Sequence, residues 1–306
     1  MIRRLLGRAL DWRFRAVTAR LDTLTESTER LHARMDVLDG RLSELAPTLE
    51  EVRTALEQRV QPMLHAIVAE ESANRRRLHE LRAGPGYEEA YSHPDPLVSI
   101  TVATVGREGM LLGRALPSLL SQTHTNLEVL VVGDAAPRSL GEAVAALGDP
   151  RVQFANLSHR IAAHPDPRRH WLVGSTMARN EATRRARGLW LLHFDDDDHL
   201  RPDAIASLLE VVREQRAEVA YGGFEERHPD GRQMTGIGFP PRLGTFSWAG
   251  ALVHGGLRFF ERELVAAHLE VPGDMYMLER MLRAGVRFAM LDEVVLDYFP
   301  STLWEP

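Results

Sequence analysis

Neither cysteine nor lysine occurs in the 306-residue sequence. Without cysteine there is no disulfide, no thiolate metal site and no cysteine nucleophile. Without lysine, Schiff-base chemistry and phosphate binding through a Walker-type lysine are excluded, and every fixed positive side chain is an arginine. Long apolar runs are also missing: none approaches the roughly 20 residues needed to span a bilayer. The N-terminus has a basic start but neither a long apolar core nor a small-residue cleavage site, so it reads poorly as a signal peptide, and a cytoplasmic location is expected. An excess of positive charge is absent too. The formal charge is −6 and the isoelectric point about 6.1, which argues against nucleic acid as a partner. Hydrophobic residues make up 44% of the chain, enough for a packed core and too many for a disordered chain.

The first 82 residues carry a helical pattern. Phe14, Leu21, Thr28, Met35, Leu42, Leu49, Leu56 and Met63 fall on heptad position a. Val17, Leu24, Leu31, Leu38, Leu45 and Val52 fall on d, until Arg59 breaks the series. An apolar repeat of about 3.5 residues sustained this long is a coiled-coil seam, and residues 10–56 are expected to make a homo-oligomer. Arg34 at g and Asp39 at the next e pair across a parallel dimer; a helical hairpin within one chain is the alternative. Gly40 and Pro47 weaken a single unbroken rod. Within residues 1–20, Arg3, Arg4, Arg8, Arg13, Arg15 and Arg20 surround Ile2, Leu5, Leu6, Leu10 and Phe14. That arrangement suits either a solvated coiled-coil start or a weak peripheral anchor on the inner face of a membrane.

Residues 83–96 contain Gly84, Pro85, Gly86, Pro94 and Pro96 without an apolar period and read as a linker. Residues 97–306 then alternate strands and helices. Val98–Thr104, Leu127–Gly133, Val152–Leu157, Leu189–Phe194 and Val219–Phe224 read as strands, and Gly113–Ser121, Leu140–Leu147, Ser175–Arg187 and Pro202–Gln215 as helices. The expected class is α/β, with chemistry at the carboxyl ends of the strands.

Two features sit at such ends, and a third lies on a helix. Phe194 runs directly into Asp195, Asp196, Asp197 and Asp198. Four adjacent carboxylates after a buried strand are tolerable if a cation neutralises some of them, and oxygen-only ligands suit Mg²⁺ or Mn²⁺. An acidic turn capping the next helix is the alternative. Asp134 follows a strand and either hydrogen-bonds a nucleoside or starts a turn. Arg179 and Asn180 lie on a helix where they meet phosphate or sugar, or solvent.

In order and spacing these pieces resemble family 2 glycosyltransferases of the GT-A fold, over roughly Pro96 to Tyr298. The resemblance is carried by Val98-Ser99-Ile100-Thr101-Val102-Ala103-Thr104, by the run from Leu119 to Asp134, by Ala178-Arg179-Asn180-Glu181-Ala182, by Ala186–Leu191, and by Phe194 with the acidic run and Pro202. It implies a metal-dependent, inverting enzyme of surface polysaccharide synthesis. Such an enzyme moves a sugar from a nucleotide-sugar donor, with UDP assumed by analogy, to a glycan or lipid-linked acceptor. Thr104 and Asp134 would lie against the nucleotide, with Arg179, Asn180, Asp195 and Asp196 completing the donor site. Asp195 and Asp197 would be the ends of the DxD motif, with Asp197 on Mn²⁺ or Mg²⁺. Asp274 would be the base, although an aspartate at a helix start is equally suited to capping it. His254, Trp248 and Tyr276 are possible acceptor contacts or core residues. Two departures stand out: Gly133 where the family often has a second aspartate, and Gly273 where it often has glutamate. They leave room for a coiled-coil scaffold with a degenerate domain. A nucleotidyltransferase is the other alternative, disfavoured by the missing lysine-containing, glycine-rich phosphate loop.

Overall fold

The computed structural model describes residues 2–160 and 166–300, with side chains from Arg20 onward except those of Asp22, Arg59, Pro62 and Met63. The chain divides into two compact units, Met1–Ala69 and Glu70–Pro306.

In the first unit, helix α1 spans Ile2–Ala55 and passes through Pro47 without ending. Proline forfeits one backbone hydrogen bond, and the neighbouring turns carry the helix across. A π-helical turn at Leu56–Val60 joins it to α2, Gln61–Ala83. That turn lies where the heptad fails at Arg59; the wider turn shifts the apolar phase. The seam residues from Leu21 to Leu56 are exposed, with Leu24, Leu42 and Leu49 each at least 64% accessible. Phe14 and Val17, and the arginines of the suggested anchor up to Arg15, have side chains outside the described residues.

The second unit begins earlier than the sequence suggests. Residues 83–96 are not a free linker, because Gly86–Ser92 forms helix α3 and buries Tyr87, Ala90 and Tyr91. The proline and glycine residues that suggested flexibility frame this short helix, while its apolar residues are too few to register as a period. Tyr91 and Trp190 meet edge to face at 5.5 Å, and Trp190 Nε1 donates to the Ala90 carbonyl at 3.0 Å. The end of α2 belongs to the same core through Leu78, which is 1% exposed. Arg82 donates to both carboxylate oxygens of the buried Glu218 at 2.6 and 2.8 Å, and Tyr87 Oη and the Arg287 N–H each add a bond at 2.8 Å. Burial alone would raise the Glu218 pKa, but these bonds outweigh it and hold the group below its ordinary value.

The remaining elements are β1 (Val98–Thr104), α4 (Glu108–Met110), α5 (Leu116–Leu120), β2 (Leu127–Gly133), α6 (Arg138–Ala145), β3 (Val152–Asn156), α7 (Pro167–Leu172) and α8 (Thr176–Arg185). They continue with β4 (Trp190–Asp195), β5 (His199–Leu200), α9 (Ala204–Gln215), β6 (Val219–Arg227), β7 (Gln233–Gly236), β8 (Ala251–His254), α10 (Gly273–Ala284) and β9 (Phe288–Tyr298). Among the described residues, nine strands form one mixed sheet in the order β3-β2-β1-β4-β8-β6-β9-β5, with β7 on β6. Strands β3, β2, β1 and β4 are parallel, and β1 and β2 are buried along their whole length. Their runs of Val, Ile and Leu reflect a sheet covered on both faces. Strand β8 is antiparallel to β4 and β6.

A fragment starting at Glu70 is expected to fold, whereas one starting at Leu97 loses the burial of Leu78, Tyr87 and Tyr91. At about 1.5–3 kcal/mol for each large apolar side chain, that loss approaches the whole stability of an ordinary domain, about 5–15 kcal/mol. Urea unfolding of the two fragments checks this; equal midpoints would show that α3 and the end of α2 are dispensable.

Candidate active site

The register of the parallel strands builds the site. Thr104 pairs with Gly133, and Ala103 pairs with Asp195. Thr104, Asp134 and the acidic run therefore share one carboxyl edge of the sheet, where α/β proteins hold ligands. Asp134 is tied to β1 by its N–H, which donates to the Thr104 carbonyl at 2.8 Å.

The acidic run is largely buried: Asp196, Asp197 and Asp198 are 1%, 8% and 0% exposed. Its partners are arginines. Arg107, in the turn after β1, donates to Asp197 Oδ2 at 2.5 Å and pairs with Asp196 Oδ1. Arg179 on α8 pairs with Asp195 Oδ1. Arg114 donates to the Asp197 carbonyl at 2.8 Å and stacks on the Phe299 ring at 3.7 Å. The Phe299 N–H donates to Asp198 Oδ1 at 3.0 Å, so Asp198 ties the end of β9 to β4 and does not cap α9.

This compensation is uneven. Burial opposes ionisation of Asp195, but Arg179, with Arg262 and Arg107 beyond it, holds its pKa below the usual value. Asp197 is pushed up to about 6 by burial and by its acidic neighbours Asp195 and Asp196, against the pull of Arg107. Asp198 is raised well above the usual range by burial, reinforced by Asp195. The buried Oδ2 atoms of Asp196 and Asp198 find no hydrogen-bond partner among the described residues. Carboxylates short of positive charge, with free oxygens and no soft donors, suit a hard divalent cation. No group of three acidic or histidine side chains converges into a ready metal cage among the described residues. Asp197 and Asp195 would therefore share the ion with oxygens of a bound diphosphate, as Mg²⁺ sites commonly do.

Around this edge, Asp134 is buried and its pKa raised, chiefly by burial, although Arg160, His170 and the Ser175 hydroxyl act the other way. Arg160 Nε donates to the Asp134 carbonyl at 2.6 Å. The glycine before Asp134 has a steric cause. A Cβ on Gly133 would lie 2.4 Å from Asn156 Oδ1. The Asn156 amide is itself fixed, accepting from the Ala136 N–H at 3.0 Å and donating to the Ala136 carbonyl at 2.9 Å. A second aspartate cannot be seated there without breaking that brace.

Asp274 lies in the first turn of α10, but the capping position is Pro272, which makes no side-chain bond. Asp274 Oδ1 accepts the N–H of Met275 at 2.8 Å, and its carbonyl accepts Trp248 Nε1 at 2.9 Å. Its charge favours the charged forms of both Arg179 and Arg262. Arg262 is lowered to about 10, first by burial and then by Arg179, while Asp274 and Asp195 act the other way. A Cβ at Gly273 would approach the Leu172 carbonyl to 3.2 Å, a tight fit for the glutamate common at this place.

Other expected residues are placed differently. Asn180 does not point its amide at a ligand. It donates to the Arg262 carbonyl at 2.8 Å and accepts the Arg262 N–H at 3.0 Å, so it fixes the loop that carries Arg262. His254 is not an acceptor contact: it stacks on Tyr87 at 4.9 Å and accepts the Gly256 N–H at 3.0 Å inside the core. Trp248 and Tyr276 are 4% and 2% exposed, core residues with little face left for a sugar ring. His193 is pushed down to about 3, mainly by burial and then by Arg262 and Arg179, which leaves it neutral and unsuited to act as a base. Arg107, Arg114, Arg160 and Arg262 escaped the sequence reading. For Arg107 the available signal was its place three residues after β1; for Arg262 no local signal exists.

Comparison with known proteins agrees with this geometry. The sequence pattern described as glycosyl transferase family 2 matches residues 99–268. The succinoglycan biosynthesis protein ExoO of Rhizobium meliloti is 32% identical over 139 residues, 45% of this chain and 36% of that protein. A chondroitin synthase of Pasteurella multocida is 29% identical over 147 residues, 47% of this chain and 14% of that protein. The chain thus spans about a third or less of the length of these relatives. Among solved structures, S. aureus TarS 1–349 in complex with UDP superposes with a TM-score of 0.50 at 18% identity, covering 67% of this chain and 60% of that one, which is a likeness of fold. With the family pattern spanning more than half of the sequence and the strand-end carboxylates in place, this chain belongs to the family 2 glycosyltransferases and has their GT-A fold.

Proposed function

We propose that the protein moves a sugar, with inversion, from a nucleotide-sugar donor to a hydroxyl of a glycan or lipid-linked acceptor in polysaccharide synthesis, with Mn²⁺ or Mg²⁺ bound. The observation that carries this reading is the meeting of Thr104, Asp134 and the Asp195–Asp198 run on one sheet edge. UDP is the proposed nucleotide, by likeness to the UDP-bound S. aureus structure. Gly133 and Gly273 favour this reading over a degenerate scaffold, since each has a local steric reason.

In this reading Thr104 and Asp134 hold the nucleoside, and Asp195 faces the ribose. When bound, the divalent ion at Asp197 supplies Lewis-acid stabilisation of the diphosphate. Asp274 takes the proton of the acceptor hydroxyl while that oxygen bonds to the anomeric carbon from the face opposite the diphosphate. The bond from the anomeric carbon to the diphosphate oxygen breaks, and the electron pair leaves with the nucleoside diphosphate. Arg179 and Arg262 lie where they offset that developing negative charge.

The N-terminal helix supplies an oligomerisation unit in the same proposal, because its leucine seam is exposed among the described residues. No helix among the described residues is long and apolar enough to cross a membrane. A cytoplasmic location, with residues 1–20 resting on the inner face of a membrane, is part of this proposal.

Three outcomes are expected. Calorimetry with UDP should show binding in Mn²⁺ that weakens at least about tenfold in chelator, roughly 1.4 kcal/mol, and Asp197→Ala should abolish the difference; equal affinity with and without chelator removes the metal. Asp274→Asn should keep the fold, the bond to the Met275 N–H and UDP binding, yet lower transfer to acceptor by about 10²–10⁴-fold. Near wild-type transfer by that variant would reassign the base. Sedimentation should show an oligomer for the full chain and a monomer after removal of residues 1–69; truncation at Arg82 is unsuitable because Leu78 and Arg82 belong to the catalytic unit. A monomeric full chain at micromolar concentration would refute the seam.

A further inference from the structure

Arg107 sits on the carboxylates that a divalent ion needs. Its turn depends on Gly106, whose φ of +111° few other residues adopt and whose N–H donates to Thr104 Oγ1 at 3.1 Å. The planar guanidinium bridges neighbouring carboxylates, with one nitrogen on Asp196 and another on Asp197, which a lysine ammonium would do less well. Arg107 Nε is buried without a partner, and among the described residues the hydrogen bonds of the side chain go to these two carboxylates. The nearby Arg114 differs: it binds the Asp197 carbonyl and the Phe299 ring, leaving the carboxylate oxygens free. A guanidinium and a metal ion cannot share the same lone pairs, so an ion that takes Asp197 Oδ2 displaces the Arg107 nitrogen that donates to it. The displaced side chain stays tethered by the turn after β1, on the same edge as Thr104.

We infer that Arg107 is an exchangeable counter-ion: it neutralises Asp196 and Asp197 while no donor is bound and turns to the donor's diphosphate when a divalent ion takes Asp197 Oδ2. The exchange keeps the net charge of the cluster nearly constant. Before binding, one guanidinium faces two carboxylates; afterwards the ion faces the carboxylates and the guanidinium faces the phosphates. Arginine recognises a diphosphate bidentately as readily as it does paired carboxylates. The inference rests on the donor-site reading above and adds a residue outside the family motif.

The test uses the full-length protein and two probes, Mn²⁺ alone and UDP with saturating Mn²⁺. Free Mn²⁺ is followed by its electron paramagnetic resonance signal and UDP by calorimetry. Arg107→Ala should bind Mn²⁺ alone about tenfold more tightly than wild type, because its competitor is gone, and UDP with Mn²⁺ about tenfold more weakly, because a diphosphate ligand is gone. Arg107→Gln keeps the side-chain stem and lacks the charge; it should show the same opposed changes and carries the test if the alanine variant fails to fold. A merely structural arginine would weaken both. Mn²⁺ binding that is unchanged or weaker in the folded variants overturns the exchange, and so does unchanged UDP affinity. If wild type takes up Mn²⁺ with UDP while the variants match it, the donor site stands and only the role of Arg107 falls. If no form takes up Mn²⁺ with or without UDP, both fall.

Discussion

The arrangement of the catalytic unit depends on how a buried run of like charges is compensated. Three of the four aspartates at the end of β4 and beyond it are nearly inaccessible, and each uncompensated buried ion costs several kcal/mol. Arg107, Arg179 and Arg262 come from three separate parts of the chain to offset that cost. The turn after β1, helix α8 and the loop before α10 are thereby drawn toward one edge of the sheet. Compensation is strongest at Asp195 and weakest toward Asp198. The site therefore carries an electrostatic deficit toward Asp198 and its arginine compensation at Asp195.

Because the chain has no lysine, arginine carries out both structural and site functions. The same fork geometry that lets Arg107 span two aspartates lets Arg82 hold both oxygens of Glu218 and Arg187 engage the buried Glu128 at 2.7 Å. The Glu218 and Glu128 pairs are locked by further hydrogen bonds, to Tyr87 and the Arg287 N–H in one case and to Ser99 in the other. Among the described residues Arg107 Nε finds no such additional bond. The distinction between a fixed and an exchangeable ion pair thus lies in the surroundings and not in the residue types.

Asn180 illustrates how a family motif can be right in place and different in role. Its neighbour Arg179 meets the acidic run, while Asn180 closes two backbone bonds on Arg262. One helical turn therefore delivers two arginines to the site, one directly and one through the loop that Asn180 holds. Gly133 and Gly273 show the converse. Each reads as a loss when compared with the family, and each stands beside a group that leaves little room for a larger side chain.

The strands were legible because their signal is local. Val98–Thr104 and Leu127–Gly133 are unbroken apolar runs bounded by turn residues, and burial on both faces demands such runs. The heptad of α1 and its failure near Arg59 were legible for the same reason, since periodicity is written along one segment. The placing of Thr104, Asp134 and Asp195 at strand ends followed from those boundaries. Which charges answer the acidic run was not legible, because Arg107, Arg179 and Arg262 are brought together only by the register of β1 against β4 and by the loop clamped at Asn180. The same holds for residues 83–96, whose prolines and glycines signal a linker while Tyr87 and Tyr91 find their partners at Glu218, His254 and Trp190, more than 90 positions away. Local patterning fixes elements through backbone preference and solvent-facing period; pairing of buried charges and rings is decided by which distant residues the sheet brings within reach.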